Sequence, residues 1–166
     1  MRITTNKLIK NIFDFINILL LKKNWNCLFF LDLFFGYGNF IKKIYKKKLS
    51  YILIIEKSNF KINIFKNKKY DIKIIKNNSF FFLKKKIKKN YFKKFNIIFI
   101  DPPFYNKFIF KLIYYLNIIC FKNTIIILEI EKKIFYNNIY IFFRNWKIIK
   151  INKIGIVYLF LLFKFN

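Results

Sequence analysis

Apolar positions along the chain follow two rhythms. Short uninterrupted runs rich in Ile and Phe alternate with stretches in which apolar residues recur every third or fourth position between lysines. The first rhythm is that of strands covered on both faces, and the second is that of helices laid over them. Residues 1–21 carry Leu8, Ile12, Phe15, Ile16 and Leu19 at helical spacing, with Thr5 or Asn6 as the N-cap. After a polar link at 22–26, residues 27–31 predict a strand that ends in Asp32, and the turn LFFGYGNF leads into a helix over 39–48. A second strand over 51–55 ends in Glu56, a helix covers 59–68, and a third strand over 71–75 is followed by Asn78. The stretch NIIFIDPPF then gives a fourth buried strand that stops at Asp101, because Pro102 and Pro103 fix φ and offer no N–H to a sheet. A helix over 106–117 and a fifth strand over 124–130, ending near Glu129 and Glu131, come next. The C-terminal region reads as a hairpin: 146–151, a turn at Asn152 and Lys153, then 155–163.

The spacing of the strand ends organises these elements. Asp32 to Glu56 is 24 residues, Glu56 to Asn78 is 22 and Asn78 to Asp101 is 23, the cadence of successive strand–helix units. Each of these residues falls at the carboxyl end of a strand, where a doubly wound sheet gathers its ligands. The expected fold is α/β: a mostly parallel, Rossmann-like doubly wound sheet with a C-terminal antiparallel hairpin, the first strand lying beside the fourth. No Pro-, Gly- or Ser-rich linker divides the 166 residues, so one domain over 1–166 is expected, with the helical segment 1–21 packed on it.

Composition sharpens the picture. There are three glycines and two prolines, and no Ala, Gln or His, while Lys, Ile, Asn, Phe and Tyr dominate, a usage that implies an A/T-rich genome. Against that bias, both prolines follow Asp101 and two glycines, Gly36 and Gly38, follow Asp32, which points to retention at those sites. With no His, a Ser-His-Asp triad and a His-liganded metal site are excluded. Cys27 and Cys120 lack metal-type spacing and read as buried small hydrophobes. The formal charge of +27 suits a polyanion such as nucleic acid, and codon bias also favours lysine accumulation. The runs at 46–48 and 84–86 read as solvated helix ends. The longest uncharged stretches, such as 112–121 and 154–163, are ten residues, against the about 20 that a bilayer requires. With no signal peptide visible, a monomeric protein of the cytoplasm is expected, without a membrane partner.

Candidate chemistry gathers at the strand ends. Asp101 and the Pro102 carbonyl can accept two hydrogens of an exocyclic amine while Phe104 stacks on the base that carries it; the same three residues also suit a loop exit. Gly36 and Gly38 allow close backbone approach, but position 41 is Ile41 where a dinucleotide fingerprint has its third glycine. Glu56, at the end of the second strand, stands where a ribose diol is held. Asn78 reads equally as an adenine-facing amide or a turn asparagine.

These residues resemble the S-adenosylmethionine-dependent amino-methyltransferases. DLFFGYGNF is similar to their D-L-F-A-G-S-G-A-L turn, with departures at Phe35, Tyr37, Asn39 and Ile41. The start, Arg2-Ile-Thr-Thr-Asn-Lys with Phe13 following, looks like the R-P-T-T-D-R…F segment of the bacterial 16S ribosomal RNA guanine-N2 methyltransferases acting on guanine-966. LEIE at 128–131 and the final hairpin resemble the same family. The resemblance implies S-adenosyl-L-methionine as cofactor, with Gly36 and Gly38 around its methionine part, Asp32 ordering that end, Glu56 on the ribose, Asn78 facing the adenine and Thr5 nearby. Asp101, Pro102 and Phe104 would grip the target guanine, with Arg2 and Pro103 on the substrate side. It also implies 16S ribosomal RNA, in the small subunit or its assembly intermediate, as partner, and no metal. Phe35 and Tyr37, bulky at small positions, are expected to narrow the cofactor pocket. Two alternatives stay open: a DNA adenine-N6 methyltransferase, and a decayed RNA-binding remnant that assists ribosome assembly.

Overall fold

A computed structural model of the chain describes residues 6–20, 24–36, 38–58, 71–88, 95–103, 108–131 and 145–165. The strands are β1 (Phe29–Asp32), β2 (Tyr51–Glu56), β3 (Asp71–Lys76), β4 (Ile97–Ile100), β5 (Ile125–Glu131), β6 (Trp146–Ile154) and β7 (Val157–Lys164). The helices are α1 (Asn6–Leu19), α2 (Asn39–Ile44), α3 (Ser79–Lys88) and α4 (Phe108–Ile119). The helix expected over 59–68, Arg144 and Tyr37 lie outside the described residues.

Side-chain alternation in the strands separates two cores. Leu31, Leu33, Leu53 and Ile55 pack under Phe82 and Leu83 of α3 and Leu112, Ile113 and Leu116 of α4. Phe30, Ile52, Ile54, Ile97 and Phe99 pack on the other face under α1 and α2. A strand buried on both faces must be apolar at every position, which is why these strands appear as unbroken runs. Phe40 of α2 lies flat on Phe99, with ring centroids 4.3 Å apart and planes 3° from parallel. The N-terminal helix docks through Ile9, Ile12, Phe13, Ile16 and Leu20. That stripe is rotated from the expected one: Phe15 and Leu19 are only partly buried against it.

The strands form one seven-stranded sheet in the order β3-β2-β1-β4-β5-β7-β6. β1 pairs parallel with both β2 and β4, so the chain order reverses between β1 and β4, as expected. Asn96 pins that juncture. Its N–H donates to the Phe29 carbonyl at 2.9 Å, its Oδ1 accepts from the Phe29 N–H at 2.8 Å, and its own carbonyl accepts from the Ile125 N–H at 2.8 Å. The register that follows sets Asp32 beside Ile54 on one side and Phe99 on the other.

Three expectations need correction. The first strand begins at Phe29, because Trp25–Cys27 closes a single 3₁₀ turn, and Cys27 is thereby exposed while Cys120 is buried. The hairpin turn falls at Gly155 and Ile156, beyond Asn152 and Lys153, which lie within β6. Gly155 supplies a φ of +58°, which the Asn-Lys pair would adopt only with strain, and a register shift between Ile148 and Lys150 absorbs a residue in β6. The fourth helix is described over Phe108–Ile119 and runs two residues past its expected end at Asn117, while its expected start at 106 lies outside the described residues. Among the described residues no helix is long and apolar enough to cross a membrane.

Candidate active site

The carboxyl ends of β1, β2 and β4 bring Glu56 and Asp101 within electrostatic reach of Asp32. Seven carboxylate side chains exist in the whole chain, and three of them meet here in a protein of +27. Like charges so placed repel, so the cluster is tolerable where a cation or a set of hydroxyl donors offsets it.

Asp32 is 1% exposed. Its Oδ1 accepts from the Phe34 N–H at 3.0 Å, and the Leu33 N–H donates to the Phe99 carbonyl at 3.2 Å, so the backbone beyond β1 stays bound to β4. Burial pushes the Asp32 carboxyl up to about 8, with the charges of Asp101 and Glu56 adding to the rise and the Phe34 N–H opposing it. The group is therefore largely protonated at neutral pH until a cation lies against it.

The turn after β1 is folded by its glycines. Gly36 and Gly38 have φ of +52° and +67°, in the left-handed region that a side chain resists. Apart from its two chain neighbours, a Cβ on Gly36 would meet nothing within 4 Å among the described residues. A Cβ on Gly38 would stand 2.5 Å from the ring of Phe35. Phe35 is 4% exposed and belongs to the core under α1 and α2. Its ring packs into the core behind the turn, against the position a Cβ on Gly38 would take; Tyr37 is not among the described residues.

Glu56 reaches back to this turn. Its Oε2 accepts from the Gly36 N–H at 3.1 Å, while Oε1 accepts from the Ser58 N–H and hydroxyl, both at 2.8 Å. A carboxylate offers about four acceptor positions, so Oε2 keeps one for a hydroxyl among the described residues. Two positioning serines escaped the sequence reading. Ser58 orients Glu56, and the buried Ser79 hydroxyl donates to the Leu33 carbonyl, tying α3 to the turn. A signal existed: the chain has three serines, and these two both follow strand ends.

Asn78 sits just past β3 and caps α3, its Oδ1 accepting from the Phe80 N–H at 2.9 Å. The turn role is thus the one seen; Nδ2 and the second lone pair of Oδ1 are not used by this cap. Asp101 and Pro102 are partly buried and Pro103 is exposed beyond β4, two to four residues past the position that faces Asp32. Thr5, Arg2 and Phe104 lie outside the described residues. No group of three or more metal-ligating side chains occurs among the described residues.

An open sheet of this order, parallel through β5 and closed by an antiparallel hairpin, is the class I methyltransferase fold. The chain belongs to the family described as conserved hypothetical protein 95, which matches residues 1–163, and this is the family singled out by the sequence resemblance. A solved candidate methylase from Haemophilus influenzae is 19% identical with a TM-score of 0.74, covering 95% of this chain and 99% of its own. A candidate methyltransferase from Escherichia coli is 18% identical with a TM-score of 0.77, covering 99% and 90%. A third structure, a candidate methyltransferase complexed with S-adenosylhomocysteine, is 13% identical with a TM-score of 0.66; the match covers 90% of this chain and 48% of that one. No curated protein matches the sequence significantly.

Proposed function

We propose that this protein transfers a methyl group from S-adenosyl-L-methionine to the exocyclic N2 of a guanine in small-subunit ribosomal RNA. The observation that carries this reading is the gathering of Glu56 and Asp101 about Asp32 beside the glycine turn at one sheet edge. The residues fit the cofactor. A buried carboxyl at Asp32 suits its ammonium, Glu56 suits a ribose diol, and the left-handed glycines of the turn let the backbone approach the methionine part closely. Family membership and fold support methyl transfer, and the neighbour complexed with S-adenosylhomocysteine supports this choice of cofactor.

Bound there, the cofactor supplies an electrophilic methyl group on a sulfonium. The chain's own work is done at the amine. A guanine amino nitrogen is a poor nucleophile because its lone pair is delocalised into the ring. Acceptors at Asp101 and the Pro102 carbonyl hold its two hydrogens, favour a pyramidal nitrogen and stabilise the positive charge that develops as the new N–C bond forms and the methyl–sulfur bond breaks; the nitrogen then gives up one proton, to Asp101 or to water. Phe104 is assigned the stacking role on the base, which must leave its own stack to arrive. The amine grip alone suits adenine N6 as well. The choice of guanine N2 in ribosomal RNA rests on the family resemblance carried by the R-x-T-T start, the LEIE segment and the final hairpin.

The test is transfer of labelled methyl groups to small-subunit particles and to duplex DNA, followed by nucleoside analysis. N2-methylguanosine from the particles is expected. N6-methyladenine from DNA would overturn the substrate and leave the cofactor reading intact, and no cofactor binding would favour the decayed remnant.

A further inference from the structure

Away from the sheet edge, α3 and α4 present a continuous aromatic surface. Phe81 meets Phe80 edge-on at 6.3 Å, Phe80 meets Tyr115 across the helix pair at 5.1 Å, and Tyr115 meets Tyr114 at 5.5 Å. The two outer rings, Phe81 and Tyr114, are each 64% exposed, although apolar rings of this size usually seek cover. Lysines share their faces. Lys84, Lys85 and Lys88 stand three, four and seven residues beyond Phe81, Lys111 stands three before Tyr114, and all four are exposed. No acidic residue occurs over 72–100 or 102–128, so nothing on either helix competes for those lysines or repels a polyanion. The surface is also joined to the active edge, since Ser79 at the start of α3 donates to the Leu33 carbonyl next to Asp32.

We infer that this face of α3 and α4 is a docking platform for single-stranded RNA adjoining the modified base, with Phe81 and Tyr114 stacking on bases and the lysines neutralising phosphates. The inference rests on the reading of the substrate as RNA. Exposed ring faces flanked by cations are how single strands are held without sequence readout, and unpaired bases are the parts of folded RNA free to stack. A protein partner fits less well, because the centres of protein interfaces are depleted in lysine, and four of them here would lose water without acids to meet them.

The platform is tested with the full chain and a fluorescent single-stranded RNA of about 12 nucleotides, followed by anisotropy. Phe81→Ala and Tyr114→Ala should each weaken binding roughly five- to 150-fold, the equivalent of one lost base stack. Phe81→Trp should bind at least as well as the parent, and Lys84→Glu should weaken binding and flatten its salt dependence. Cofactor affinity should be the same in all of these proteins. Wild-type RNA affinity in both alanine variants would overturn the platform. So would a dimer that Phe81→Ala splits without changing RNA affinity, which would make the face a contact between copies. Methyl transfer in the same samples separates this claim from the enzymatic one. Ring-dependent RNA binding without any transfer leaves the platform standing and removes the enzyme. Wild-type kcat/KM in the ring variants removes the platform and leaves the enzyme.

Discussion

Asp32 ends β1 with 1% of its surface exposed, and its carboxyl titrates near 8 where an unburied one titrates near 3.8. Between those values the folded chain holds a proton that the unfolded chain has released. A native state that binds more protons loses stability as pH rises. This contribution therefore falls from about pH 4 to about pH 8 and is level above. Asp32→Asn removes the slope, so urea midpoints measured from about pH 5 to pH 8 should fall in the parent relative to the variant; parallel curves would contradict the burial account. Glu56 acts differently, with both oxygens already engaged by Gly36 and Ser58. Glu56→Ala removes both the carboxylate proposed for the ribose and the brace on the turn. Calorimetry should show weakened cofactor binding, and unchanged affinity would remove Glu56 from the site.

At the scale of elements, the glycine turn and the α4 terminus make separate predictions. Gly36→Ala meets nothing within 4 Å beyond its two chain neighbours among the described residues and should cost about 1–2 kcal/mol for its left-handed backbone. Gly38→Ala carries the same backbone cost and must also displace the Phe35 ring 2.5 Å away, so its denaturation midpoint should be the lower of the two. Lys164, 9% exposed, donates from Nζ to the carbonyls of Asn117 and Cys120 at 3.1 and 2.7 Å, closing the C-terminus of α4. Lys164→Met should leave those carbonyls without that donor and cost about 1–3 kcal/mol in denaturant titration. The sequence made β1, β2 and β4 legible because each is a buried apolar run cut off by a carboxylate, whereas the edge strand β3 is largely exposed and sets lysines among its isoleucines. It was less informative where local geometry decides. Trp25–Cys27 looks continuous with the strand after it, yet closes a 3₁₀ turn. Asn152-Lys153 has turn chemistry, but the positive φ available at Gly155 and the irregularity near Ile149 move the reversal. Asn78 and Phe35 were legible in position but not in direction: a nearby N–H captured one amide oxygen, and the core behind the turn captured the ring.

Across the whole molecule, function follows from topology. Chain order reverses between β1 and β4, so residues 69 positions apart, Asp32 and Asp101, come to one edge with Glu56 between them in sequence. The 23-residue cadence announced that edge before any contact was visible. The distribution of positive charge was not legible in this way, because lysines are spread along the whole chain and only the fold shows which ones share a surface with exposed rings. The central claim is that Asp101 at this edge serves the amine while Asp32 and Glu56 serve the cofactor. Single-turnover methyl transfer by Asp101→Ala, measured beside its cofactor affinity, tests that division most directly. The account predicts transfer slowed about 10²–10³-fold, the usual loss for one preorganised electrostatic contact, at nearly unchanged cofactor affinity. Collapsed cofactor binding with normal turnover per bound complex would contradict it.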